Sequence, residues 1–268
     1  MKVALCFSGQ MRDLNDTKNF WLDLIHKHNI DVYASFWDIE NTELGDTIQN
    51  FIDVYNPKKI EVENYQIYKR TTQDLASIQI ESPTSLQPQF QDTSKAFGQL
   101  PMWYKVWRCN MLRHQDDYDV VIRARVDTLL DTNFELQLND MLNVPMGVNQ
   151  SIWHGSVGIN DCFAYGPSKV MDWYSFLYQH MMDYLNRGHY LFPPEHFLAV
   201  HMSKIHCEIR YFPSYMIITR TSKGTPNEVY NNFVNPPFES QRWSDAFEFV
   251  PISEGNFKKQ DFKDEFGR

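Results

Sequence analysis

The chain has few of the residues that announce the commonest chemistries. Only 4 of its 268 residues are cysteine and 11 are glycine. Cys6, Cys109, Cys162 and Cys207 stand far apart, which excludes a CxxC metal or redox motif. Their apolar neighbours mark them as buried free thiols, the state kept in a reducing compartment. No three-glycine dinucleotide fingerprint and no Gly-Lys-Ser/Thr phosphate-loop ending follows a candidate strand. No apolar run approaches the ~20 residues of a membrane-spanning helix. The start, Met1-Lys2-Val3-Ala4-Leu5-Cys6-Phe7, is too short an apolar run for a signal peptide. Long basic runs are missing and the net charge is −9, which argues against general nucleic-acid binding. These absences predict a soluble cytoplasmic protein with no nucleic-acid partner and no membrane span.

What is present is ample apolar material. Hydrophobic residues make up 43% and aromatics 15%. The rings supply either an aromatic-rich core or a pocket of the kind that carbohydrates and bases occupy. Strands are expected over Val3 to Phe7, Ile30 to Phe36 and Lys59 to Glu63, with helices over Thr17 to His28 and Thr47 to Tyr55 between them. That alternation implies a parallel sheet with right-handed crossovers, an α/β fold. Tyr65 to Gln91 is rich in Gln, Ser and Thr and reads as a long excursion, a flap near the site or an unstructured loop. Gly98 to Gln115 has helical spacing, Trp153 to Tyr165 suggests a strand or hairpin, and Ser168 to Arg187 reads as one apolar helix. A helix should follow Pro193-Pro194, and Cys207 to Phe212 looks like a strand. The charged tail from Phe257 reads as a terminal or frayed helix. Without repeats or a linker, a single domain over 1–268 is expected.

One stretch carries chemistry. In Val120-Val121-Ile122-Arg123-Ala124-Arg125-Val126-Asp127, a β-branched run fit for a central strand ends in two arginines and an aspartate. An extended exit would point Arg123, Arg125 and Asp127 to one side. Charges there are expensive to bury without a partner, and ligands of open α/β sheets bind at the carboxyl ends of strands. Paired guanidinium groups beside a carboxylate suit a diphosphate. The same residues also suit a structural Arg–Asp pair that closes the strand.

The loop Phe7-Ser8-Gly9-Gln10-Met11-Arg12 is a second candidate. Its glycine lets the backbone approach a ligand and Arg12 could reach a phosphate, although an ordinary tight turn explains it equally well. At the end of the second strand, Trp37 and Asp38 offer a base-stacking or ribose-binding pair, or plain core.

The opening Ser8-Gly9-Gln10-Met11-Arg12 resembles the start of a group of GT-A-fold glycosyltransferases, which includes WavE-like surface-polysaccharide enzymes and glycan-building enzymes of large algal viruses. Met102-Trp103-Tyr104-Lys105-Val106-Trp107-Arg108, the arginine strand, Asn160-Asp161-Cys162-Phe163-Ala164-Tyr165-Gly166 and Pro194-Glu195-His196-Phe197-Leu198 resemble later segments of that group in the same order. The resemblance implies a GT-A-like (Rossmann-like), mostly parallel sheet flanked by helices. It also implies a hexosyl- or pentosyltransferase using a nucleoside-diphosphate sugar, working in the cytoplasm of a bacterial or virus-infected cell. Phe7, Ser8, Gly9 and Arg12 would line the nucleotide site, Lys105 and Arg123 would face the diphosphate, and Asp127 would meet a divalent ion or the sugar nucleotide. The chain departs from the DxD pattern of such enzymes, because Arg125 holds the first acidic position. A fixed cation there could itself offset the leaving charge. Manganese or magnesium wants several oxygen ligands, and Asp127 alone supplies few.

Inverting transfer needs a carboxylate to remove the acceptor proton. Glu195, in the first turn of a predicted helix, is the first choice, although an acidic residue there also stabilises a helix start. Asp161 is the rival base or an acceptor contact, with turn formation beside Asn160 as its plainer role. Trp153 is a candidate sugar platform, with His154 and His196 as further acceptor contacts. His201 reads chiefly as packing. The function expected is transfer of a sugar, from UDP by preference, to a glycan hydroxyl. A sugar-phosphate nucleotidyltransferase and a non-catalytic nucleotide- or glycan-binding module remain alternatives.

Overall fold

Alternation along the strands decides the layers. The computed structural model describes residues 1–71, 99–130, 134–145, 159–186, 194–205, 207–212 and 216–219. In β1 (Val3–Gly9), Val3, Leu5 and Phe7 point to one face and Ala4 and Cys6 to the other. Both faces are covered, so nearly the whole strand is buried, as its continuous apolar sequence requires.

Among the described residues, β1 lies inside a seven-stranded sheet. The other members are β2 (Asp31–Trp37), β3 (Lys59–Glu63), β4 (Val120–Ala124), β6 (Leu142–Pro145), β7 (Phe163–Pro167) and β8 (Ile209–Phe212), in the order β3-β2-β1-β4-β7-β6-β8. Strand β7 alone runs against its neighbours, and all other pairings are parallel. The expected mostly parallel α/β sheet flanked by helices is therefore present. Gly166 in β7 sits where a Cβ would come within 2.8 Å of the Met141 carbonyl, so only glycine lets β6 approach this closely. A separate two-stranded sheet pairs β5 (Thr128–Leu130) with β9 (Met216–Ile218).

The helices α1 (Leu14–His28) and α2 (Ile48–Tyr55) cover the face bearing Phe7. Phe7 meets Trp21 and Phe51 edge-on at 5.2 and 5.5 Å, and burying one such ring stabilises by roughly 1.5–3 kcal/mol. Helix α2 begins at Thr47, whose hydroxyl accepts from the Asn50 N–H at 3.2 Å. The other face carries α4 (Leu100–Arg113), α5 (Ser168–Ser175), α6 (Leu177–Asn186) and α7 (Pro194–Met202), which enclose Trp103, Met171, Tyr174 and Phe197. Arg113 ties α4 to α5, donating from Nε to Asn110 at 2.8 Å and pairing with Asp172.

Two sequence expectations change. The helix read over Ser168 to Arg187 is two helices, because the Phe176 N–H bonds to the carbonyls of both Asp172 and Trp173, tightening and ending the turn. The excursion from Tyr65 opens with a helix, α3 (Tyr65–Thr71), and its remainder lies outside the described residues, as do 151–158 and the tail. Cys6, Cys109 and Cys162 are buried free thiols as expected, while Cys207 is half-buried. Among the described residues, no helix is long and apolar enough to cross a membrane.

Candidate functional site

Arg123 follows from the same alternation. It shares the α4–α7 face with Val121, opposite Cys6 on β1 and Ala164 on β7. Its side chain is 2% exposed. Nη1 donates to the carbonyl of Cys162, whereas Nε and Nη2 are buried with no hydrogen-bond partner. Buried guanidinium donors left unsatisfied are costly, and these two nitrogens are chemically able to pair with an anion.

Beyond Ala124 the chain leaves the extended conformation, and the expected one-sided display of three charges fails there. Residues 125–127 turn, with the Thr128 N–H reaching the Arg125 carbonyl at 3.3 Å. The turn folds Arg125 onto Asp127: Nε meets Oδ1 at 2.8 Å and Nη2 meets Oδ2 at 2.5 Å. The Arg–Asp pair that closes the strand is therefore present, and it leaves Arg123 outside it. Arg125 also reaches back, with Nη1 at 3.7 Å from the Cys162 sulfur and its N–H on the Cys162 carbonyl at 3.2 Å.

Cys162 belongs to the segment that enters β7, and this segment brings in the acids. Asn160 Oδ1 accepts from the N–H groups of Cys162 and Phe163, both at 2.9 Å, fixing the turn. Asp161 Oδ1 accepts from the Cys162 thiol at 3.2 Å. The Ile159 N–H donates to the Glu195 carbonyl at 3.0 Å, which ties the first turn of α7 to the same segment. Glu195 is 5% exposed, and its Oε2 has no partner. Burial, reinforced by the negative charge of Asp161, pushes its carboxyl up to about 8. The Tyr174 hydroxyl donates to the Asn160 carbonyl at 3.4 Å beneath these groups.

The first loop borders this cluster. Ser8 is buried with an unpartnered hydroxyl, one alternation beyond Cys6 on the face that bears Arg123. Gly9 has φ +116°, and no atom lies within 4 Å of where a Cβ would stand, so its backbone faces open space. Arg12 is half-buried just before α1. Phe7 corrects an expectation: its ring is core on the opposite face, and only its backbone adjoins the loop.

Lys105 and Trp37 form a different cluster, at the edge of the sheet. Lys105 Nζ is 2.6 Å from Glu63, 3.8 Å from Glu61 and 4.3 Å from the centre of the Trp37 ring. Trp37 is stacked on Tyr104 and buried. Burial opposes ionisation of Glu61, but Arg108 and Lys105 outweigh it and hold its carboxyl below the ordinary range. Lys105 is thus paired with the β3 carboxylates. Glu61, Glu63 and Arg108 escaped the sequence reading, although Glu61 and Glu63 stand two apart on a strand and so share a face. Cys162 and Tyr174 escaped it as well, because the Cys162 carbonyl meets Arg123 and the Tyr174 hydroxyl meets the Asn160 carbonyl only once distant segments are folded together.

Trp153 and His154 lie outside the described residues, and of His196 only its place in α7 beside Glu195 is described. His201 is packing: it stacks on Trp173 at 4.5 Å, with Nε2 at 2.7 Å from the Trp173 carbonyl and Nδ1 at 3.1 Å from the Tyr184 hydroxyl. Burial lowers its pKa to about 4. Both ring nitrogens are occupied, which leaves none for a metal.

Asp127 does not fit a divalent ion as it stands, since Arg125 holds both its oxygens. Among the described residues, no three His, Cys, Asp or Glu side chains are grouped as a cation would need.

No protein-family model matches the chain, and no curated protein does either. Among solved structures it is similar to the crystal structure of the apo-form glycosyltransferase GlyE of Streptococcus pneumoniae TIGR4, with a TM-score of 0.38 and 15% sequence identity. The likeness covers 76% of this chain and 43% of that one, so the chain spans about two fifths of that structure's length.

Proposed function

We propose that the chain is a glycosyltransferase that moves a sugar from a nucleoside diphosphate, UDP by preference, to a hydroxyl of a glycan with inversion. The observation that carries this reading is the buried guanidinium of Arg123. Two of its nitrogens have no partner, and it is one hydrogen bond away from the segment that bears Asp161. A non-catalytic module would not need carboxylates beside its anion site. Here Asp161 adjoins Cys162, and Glu195 is tied to Ile159.

In this reading the diphosphate lies against Arg123, and the open backbone at Gly9 admits its close approach. The acceptor oxygen attacks the anomeric carbon as the bond to the diphosphate oxygen breaks, and Glu195 takes the acceptor proton. A base with a pKa raised toward neutrality suits that task, because it is strong enough to accept the proton and is still partly ionised at working pH. Arg123 offsets charge developing on the leaving diphosphate in a site with little water, where such pairing is strongest. Lys105 serves as the counter-ion of Glu63. Arg125 and Asp127 brace the exit of β4, and no step runs through a metal.

The test is a panel of UDP- and GDP-sugars, with and without Mn²⁺, read by nucleotide release and by the shift in melting temperature. UDP should raise the melting temperature by linkage, worth about 2.7 kcal/mol at a hundredfold excess over Kd, and a UDP-sugar should release UDP. Neither effect with any member of the panel would reject the reading.

A further inference from the structure

We infer that the side-chain amide of Asn160 reads the transferred sugar, its Nδ2 donating to a hydroxyl or acyl oxygen on the sugar ring. The inference rests on the site being a glycosyl-donor site.

The orientation of the amide is fixed. Its Oδ1 accepts from two backbone N–H groups at 2.9 Å each, and an amide nitrogen could accept neither, so the flipped alternative is excluded. That leaves Nδ2 with two N–H donors. Asn160 is 0% exposed and Nδ2 has no hydrogen-bond partner. An orphaned donor in the interior is a standing penalty that a ligand acceptor would remove.

Its place in the fold says which part of the ligand it meets. Asn160 follows Ile159, whose N–H holds the Glu195 carbonyl, and precedes by two residues Cys162, whose carbonyl holds Arg123. It therefore stands between the base and the diphosphate holder, the span a sugar ring occupies during transfer. The amide is neutral, so it suits a hydroxyl or acyl oxygen, while the charged Arg123 suits the diphosphate. A purely structural turn residue would need only the oxygen, because Asp and Ser also close such turns.

Asn160→Asp keeps the accepting oxygen and removes both amide donors. Asn160→Ser does the same without adding charge and serves if the aspartate variant fails to fold. The measurement is kcat/KM for a UDP-sugar against its set of monodeoxy analogues, alongside the Kd of UDP alone. The wild type should disfavour at least one analogue by about tenfold or more. Both variants should lose that discrimination, while UDP affinity falls far less in Asn160→Ser than in Arg123→Met, because the serine adds no charge and the guanidinium of Arg123 stays. Equal discrimination in variants and wild type, or a wild type indifferent to every deoxy analogue, overturns the inference and leaves the transferase reading standing. A wild type that neither binds UDP nor releases it from any UDP-sugar overturns the transferase reading, and this inference falls with it.

Discussion

Arg123 and Cys162 are locked together: the guanidinium of the first and the N–H of Arg125 both donate to the carbonyl of the second. A backbone oxygen just before the neighbouring strand β7 thus holds the side chain still. Its two remaining nitrogens are thereby oriented, which would lower the entropy cost of binding the proposed diphosphate.

Arg123→Met should separate binding from stability. Removing a buried cation with two unsatisfied nitrogens should leave the melting temperature equal or higher. Losing charge-assisted bonds worth about 1.5–3 kcal/mol each should weaken UDP at least tenfold by calorimetry. A large stability loss with unchanged UDP affinity would make Arg123 purely structural.

Glu195 sets a pH dependence of definite sign. Its carboxyl is raised to about 8 by burial and by Asp161, above the ordinary value of about 4.3. The native state therefore binds more protons than the unfolded state between those values, and stability declines as pH rises through that window. Chemical denaturation at several pH values should show the decline, and Glu195→Gln should flatten it.

Turnover should move the opposite way. It should increase with pH toward a plateau above about 8 as Glu195 ionises. Glu195→Gln should bind donor normally yet lose about 10²–10⁴ in kcat. If the glutamine variant stays active, the base is Asp161.

Asp127→Ala strands Arg125 without its partner and should cost about 3–5 kcal/mol in stability. The double replacement Arg125→Leu with Asp127→Leu should recover much of that loss, a cycle readable by thermal melts. Nucleotide release should also persist in EDTA, since Arg125 already occupies both oxygens of Asp127. Loss of activity in EDTA with restoration by Mn²⁺ would refute this.

Lys105→Met should lower stability by leaving Glu63 without its cation beside Glu61, which keeps only Arg108. UDP affinity, measured beside Arg123→Met, should change by less than about threefold. A loss equal to that of the arginine variant would return Lys105 to the diphosphate.

Much of this was legible in the sequence because period carries it. Val120-Val121-Ile122 and the run from Lys59 to Glu63 declared themselves as strands, and the strand–helix alternation implied a parallel sheet. The reversal of β7 was not legible, since direction depends on distant partners. Strands β5, β6 and β9 have three or four residues each, too few for a pattern. Arg125 shows the same limit at one residue: alternation predicted its direction only while the backbone stayed extended. Glu195 and Asp161 were nominated from local position, but their shared burial arises from residues far apart in the chain.

The two sides of the sheet differ in what they can tolerate. The flank under α1 and α2 is mostly apolar, while Arg123 and Glu195 belong to the opposite flank. Volume-conserving changes around Trp21 and Phe51 should therefore cost little beyond a modest change in stability. The helices over Tyr174 and Phe197 should have less latitude, because one touches Asn160 through Tyr174 and the other carries Glu195. Natural variants should accordingly accumulate on the first side and be scarce on the second.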